Sequence, residues 1–156
     1  MNSSTQKPNL QKGCLLVIED GQDQWILMKL AIKSAIMGVK PIRVTNPKEA
    51  LAYLNDCLTV GVEFPSMILL DLYLPEREMG WHLLHEIRSL PAPVNLIPIV
   101  MLSSSNDQGD ISNSYNRGIT AYMVKPTDTT SWVETFQMLG EYWLKTVSLP
   151  NHTNFW

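Results

Sequence analysis

Four groups of residues in this chain could do chemistry together. Asp71 closes the apolar run Met67–Ile68–Leu69–Leu70, and a turn follows at Leu74–Pro75. Glu19 and Asp20 close the run that starts at Cys14, Ser103, Ser104 and Ser105 close "IPIVML", and Lys125–Pro126 closes "TAYMV". A carboxylate at the end of a buried strand is costly unless something pairs with it. Either Asp71 caps a helix or binds backbone, or it stands where a cation and a reacting group meet. Each group also has an ordinary reading taken alone: the acid pair as a helix cap, the Lys-Pro as a turn, the serines as a loop.

Brought together, the same residues define a narrower chemistry. Carboxylates that converge raise one another's pKa and cannot all stay ionised without a cation. A few carboxylates with room for water suit Mg²⁺, which binds one or two of them together with a phosphate. A lysine and a hydroxyl facing that cation are what a phosphoryl group needs on its equatorial oxygens. A carboxylate can then serve as nucleophile and form an acyl phosphate. On this reading Asp71 is the attacking group.

The elements that must position these residues alternate along the chain. "CLLVIE" reads as a strand covered on both faces, and "DQWILMKLAIKSAIMG" as a helix with Trp25, Met28, Ile32 and Ile36 at helical spacing, stopped at Gly38. "PIRVT" is a short strand whose end offers nothing comparable to the other strand ends. Asn46 and Pro47 open the next helix as N-cap and first helical residue. "SMILLD" is the third strand, "GWHLLHEIRSL" the third helix, "IPIVMLSSS" the fourth strand and "DQGDISNSYNRG" a weak helix. "TAYMVKP" is the fifth strand. The last helix, "DTTSWVETFQMLGEYWLKTV", carries Trp132, Phe136, Leu139, Tyr142 and Trp143 as an apolar stripe.

Five β-α alternations imply an α/β domain: a doubly wound, five-stranded parallel sheet with helices on both faces and right-handed crossovers. In such a sheet, ligands sit beyond the carboxyl ends of the strands, where strand order reverses. All four chemical groups fall at that edge. The 156 residues suffice for one domain with a full core. We expect a loose segment over 1–12, the domain over 13–147 and a tail over 148–156.

With 45% apolar and 17% charged residues the chain reads as globular, and its net charge of −3 gives no basic surplus for nucleic acid or an anionic membrane. Cys14 and Cys57 share no metal-ligand spacing and read as reduced thiols. No run approaches the roughly 18 apolar residues of a membrane span, and the polar N-terminus lacks a secretory signal. The expected location is therefore the cytoplasm, where the Asn-X-Ser/Thr triplets at Asn2 and Asn151 carry no meaning.

The set "IED … LLDLYLP … MLSSS … AYMVKP" resembles the receiver domain of two-component response regulators, from about Cys14 to Lys145. The resemblance implies a flavodoxin-like (βα)5 fold, no enzyme activity of its own, and phosphorylation of Asp71 by a phosphohistidine of a sensor histidine kinase. It implies Mg²⁺ held by Asp20 and Asp71, by Glu19 through water, and by the backbone carbonyl of Tyr73. Lys125 would pair with Asp71 and then with the phosphoryl oxygens. Ser103 would supply the switching hydroxyl and Tyr122 the switching aromatic. "YWLKTVSLP" further resembles the end of the single-domain regulators that partner cyanobacterial phytochromes, which implies a light-sensing kinase and a homodimer through strand four, helix five and strand five. Trp132, Phe136, Tyr142 and Trp143, together with Trp156, exceed what one small helix needs for its core contact, so a partner surface is expected there.

Three features depart from the family's pattern. Serine stands at 103 where threonine is usual. The turn between Pro75 and Gly80 is one residue longer, which puts Glu76, Arg77 and Glu78 beside the site. Tyr73 is large where small or polar groups are frequent, and is expected to shield the acyl phosphate from water. His82, His85 and His152 read as solvated residues, since no carboxylate or Cys completes a metal set with them.

Three other functions compete. A phosphorylation-independent pseudo-receiver would be an interaction module that kept the fold. A phosphohydrolase of the aspartyl-phosphate type needs an aspartate where Tyr73 stands. A flavin- or dinucleotide-binding domain needs a glycine-rich phosphate loop where this chain has the acidic "EDGQDQ". With no DNA-binding or effector segment read after the last helix, the expected output is protein contact.

Overall fold

The computed structural model describes residues 13–142. Strands β1 (Cys14–Ile18), β2 (Lys40–Val44), β3 (Met67–Asp71), β4 (Ile99–Ser103) and β5 (Ala121–Val124) form its central feature, a parallel sheet in the order β2-β1-β3-β4-β5. Helices α1 (Gln22–Ala35), α2 (Pro47–Thr59), α3 (Arg77–Arg88), α4 (Gln108–Asn116) and α5 (Thr129–Leu139) alternate with the strands. This is the doubly wound, flavodoxin-like (βα)5 arrangement expected from the alternation of patterns. No helix among the described residues is long and apolar enough to cross a membrane.

The two-residue period of the strands sorts their side chains into two cores. Leu16, Ile18, Ile68, Leu70, Ile99 and Met101 meet Ala50 and Leu54 of α2 and Trp81, Leu83, Leu84 and Ile87 of α3. Leu15, Val17, Met67, Leu69, Val100 and Leu102 meet Met28, Ala31 and Ile32 of α1 and Trp132, Phe136 and Leu139 of α5. With both faces covered, β1, β3 and β4 are buried at every residue, which explains their unbroken apolar runs.

Local signals set the helix starts. Asn46 accepts from the Glu49 N–H at 2.8 Å, while Glu49 reaches back to the Thr45 N–H at 2.8 Å, so two donors of the α2 terminus are satisfied. Helix α3 begins earlier than "GWHLLHEIRSL" predicts, and Arg77, Glu78 and Met79 belong to its first turn. The reason is a close approach, since a Cβ on Gly80 would stand 2.0 Å from the Leu72 carbonyl oxygen. That glycine sits inside the helix because the helix lies directly on the backbone after β3.

The aromatic stripe of the last helix needs correction. Trp132 and Phe136 are fully buried, their rings stacked with centroids 5.6 Å apart within the core that α5 shares with α1. They are core residues and offer no partner surface. The second face of the sheet took up the area that a lone helix could not cover. Tyr142 is exposed, and Trp143 lies outside the described residues, as do segments 1–12 and 148–156. Cys14 and Cys57 are free and buried.

Candidate functional site

Strand order reverses between β1 and β3, and the carboxyl ends of those strands deliver Glu19, Asp20 and Asp71 to one spot. One carboxylate oxygen from each lies within 4.8 Å of the others. Glu19 and Asp71 are buried, at 2% and 6% exposure, while Asp20 faces solvent. Lys125, delivered by the end of β5, puts its Nζ 2.9 Å from Glu19 Oε1 and 3.4 Å from Asp71 Oδ2. Its shorter contact is with Glu19, so the lysine bridges the acid pair and Asp71.

Three carboxylates therefore face one ammonium. The imbalance shows in Asp71, whose pKa is pushed up to about 7: burial is the main cause, Glu19 adds to it, and Lys125 opposes it. A divalent cation would remove that imbalance. The donor set is all oxygen, half open through Asp20, and fits a hard cation that keeps water ligands. The remaining bonds at Asp71 and Glu19 are to backbone. The Tyr73 N–H donates to Asp71 Oδ1 at 3.3 Å, and the Gly21 N–H donates to Glu19 Oε2 at 3.0 Å.

Beside this cluster, Ser103 ends β4 fully buried. Its Oγ accepts from the Ser105 N–H at 3.0 Å, and the Tyr122 hydroxyl donates to the Ser105 carbonyl at 2.8 Å. The hydroxyl and the aromatic picked from the sequence thus meet on one residue of the β4–α4 loop, Ser105.

Two groups at this edge were not picked out. The end of β2 is not inert, because Arg43 donates to the carbonyls of Glu19 (3.1 Å) and Asp20 (3.4 Å) and to Gln22 Oε1 (2.7 Å). It holds the loop that carries the acid pair, and a charge inside the short strand "PIRVT" was its signal. The second is Asp110 in the first turn of α4, 1% exposed, which binds Arg77 Nη1 at 2.7 Å and the Tyr73 hydroxyl at 2.9 Å. Burial works to raise its pKa, but hydrogen bonds from Ser105, Arg77 and Tyr73 outweigh it and hold the carboxyl below its usual value. By contrast, His82 is exposed beside Glu86 (3.4 Å), and His85 is exposed on the same helix.

An acid pair and a third carboxylate at the switch point of a (βα)5 sheet, faced by a lysine and with a buried hydroxyl at the end of the next strand, are the features of one class of signalling module. The chain belongs to the response regulator receiver domain family, whose model matches residues 15–137. Within it, the chain is 28% identical over 137 residues to the response regulator Rcp1 of Synechocystis sp., covering 87% of this chain and 92% of that protein. The fold is similar to that of the phosphorylated cyanobacterial phytochrome response regulator RcpA, with TM-score 0.78 and 30% identity over 89% of this chain and 99% of RcpA. It is also similar to RPA3017, a response regulator in red light signalling of R. palustris, with TM-score 0.80 and 26% identity over 89% of this chain and 99% of that one.

Proposed function

We propose that this chain is a response regulator of the phytochrome-associated type that takes a phosphoryl group from a histidine kinase onto Asp71. The observation that carries the reading is Asp71 itself, a buried carboxylate held between an acid pair and a lysine at the switch point of the sheet. An Asp71 oxygen forms the new bond to phosphorus as the bond from phosphorus to the kinase's imidazole nitrogen breaks. The imidazole leaves with that electron pair. Lys125 leans from Glu19 towards the transferred oxygens, and Ser103 donates its hydroxyl to one of them once it lets go of Ser105.

Mg²⁺ would be held by Asp20 and Asp71, by Glu19 through water, and by the Tyr73 carbonyl; when bound it neutralises charge on the phosphoryl oxygens. The similarity to Rcp1, whose structure is known in a Mn²⁺-bound form, supports a divalent cation here. Tyr122, already bonded to the loop that Ser103 would pull, is the switching aromatic.

Kinship with phytochrome regulators supports a light-sensing kinase as donor and a cytoplasmic signalling role without enzyme activity. A homodimer through β4, α5 and β5 fits an edge strand, β5, that exposes Val124, and a helix α5 that exposes Met138. The domain itself would run over 13–147. The pseudo-receiver alternative loses its support when acceptor, acids, lysine and hydroxyl are all present at one edge.

Intact mass spectrometry after incubation with acetyl phosphate and Mg²⁺ tests the reading. The wild type should gain one phosphoryl group, and neither Asp71→Asn nor the wild type without a divalent cation should gain any. No adduct from acetyl phosphate or from a kinase would refute it.

A further inference from the structure

Helix α4 is attached to this domain in an unusual way. Its only buried residues are Asp110 and Ser114, and none of its apolar side chains enters either core. What holds it is polar. Both oxygens of Asp110 are engaged, Oδ1 by Arg77 at 2.7 Å and Oδ2 by the Tyr73 hydroxyl at 2.9 Å. One turn on, Ser114 Oγ accepts from Trp81 Nε1 at 3.0 Å, and the guanidinium groups of Arg77 (5.3 Å) and Arg117 (4.5 Å) both lie over the Trp81 ring.

Both partners of Asp110 come from the segment that follows Asp71. Tyr73 also binds Asp71 through its own N–H at 3.3 Å. On the other side, the chain from Ser105, the residue on which Ser103 and Tyr122 meet, runs into the start of α4: Ser105 Oγ accepts from the Asp107 N–H at 3.1 Å and Asp107 Oδ2 from the Asp110 N–H at 3.0 Å. Both oxygens of this buried carboxylate are committed to donors on that segment, and leaving either unpaired is costly, so the helix and the segment are bound in one geometry.

We propose that Asp110 is a positioning residue of the acceptor site, which through Tyr73 and Arg77 locks the β3–α3 segment to the first turn of α4 so that the two move as one body. The inference rests on the phosphoacceptor reading for what drives the movement. The contacts that make the lock stand without it. Charge-assisted bonds to a buried carboxylate are directional, so a shift of the backbone beside Asp71 is passed to α4 and not absorbed between them. The long, charged "EREM" segment then has a purpose, because Arg77 is the residue that reaches across.

Amide hydrogen exchange over residues 107–117, read in the full chain with Mg²⁺ before and after acetyl phosphate, tests the lock. Arg77 is 44% exposed in its side chain, so Arg77→Gln removes the ion pair without opening the core. Exchange in α4 should rise about tenfold in that variant, the factor that one charge-assisted hydrogen bond carries. The variant should still gain its phosphoryl group, yet lose the change in α4 exchange that phosphorylation produces in the wild type. Arg77→Lys, which keeps the charge, should restore part of both. Unchanged α4 exchange in Arg77→Gln, or an undiminished response to phosphorylation, would overturn the proposal. Should the wild type gain no phosphoryl group, the acceptor reading fails, while exchange in the unphosphorylated variants still decides whether the lock exists.

Discussion

Helices α5 and α4 pack on opposite faces of the same sheet and are held there by opposite kinds of contact. α5 buries Trp132, Phe136 and Leu139 against α1, in a core continuous with β1, β3 and β4. α4 buries a carboxylate and a hydroxyl, and is held by Arg77, Tyr73 and Trp81. Apolar burial is non-directional and tolerates small shifts, whereas hydrogen bonds to a buried charge lose their strength steeply with distance and angle. The α1–α5 packing is therefore part of the fixed frame, and α4, tied by polar bonds to the segment after Asp71, is the element whose position depends on that segment.

Breaking the apolar side should have the largest effect. Trp132→Ala should cost about 3–5 kcal/mol of global stability, the usual result of emptying a buried aromatic site. Urea unfolding measures it, and a cost as small as that of a surface substitution would mean that α5 is not the frame.

The next effect belongs to the acid cluster. The folded pKa of Asp71, about 7, lies above its ordinary 3.8, so the folded state holds its proton more tightly than the unfolded chain. That preference is fully present below the unfolded value and is lost as pH rises through the folded one. Metal-free protein should thus lose stability from about pH 4 to 7, by on the order of 2–4 kcal/mol as a ceiling. Asp71→Asn should not show this loss, and should be the more stable protein above pH 7 until Mg²⁺ is added. Thermal unfolding across pH, with and without the cation, compares the two. Parallel pH profiles would contradict the charge imbalance at the site.

Ser114→Ala sharpens the contrast from the polar side. It leaves Trp81 Nε1 without its acceptor and should cost about 1–3 kcal/mol, less than Trp132→Ala. The change should be concentrated in α4 and visible in Trp81 fluorescence. An equal loss spread over α5 would erase the distinction between the two faces.

Sequence legibility followed the same division. β1, β3 and β4 were readable because burial on both faces makes each an unbroken apolar run, and the residues that follow the strands mark the edge where Glu19, Asp20, Asp71, Ser103 and Lys125 collect. The stripe of Trp132 and Phe136 identified a helix face, but periodicity says nothing of what covers it, and α1 does. Gly80 looked like the start of a helix because glycine usually breaks one; its contact with the Leu72 carbonyl is visible only in three dimensions. Arg43 and Asp110 bind partners 24 and 33 residues away. A lone charge in a strand or a weak helix reads as solvated until its distant partner is seen.

The most direct test of the account is to identify the residue that carries the phosphoryl group. An acyl phosphate is reduced by borohydride, which leaves homoserine where aspartate stood, and peptide mapping then reads the position. After treatment with acetyl phosphate and Mg²⁺, homoserine should appear at position 71 alone, and should be missing when the cation is withheld. Homoserine at Asp20 or at any other aspartate, or none at 71 in protein that had gained a phosphoryl group, would contradict the assignment of Asp71 as the group at which this sheet does its chemistry.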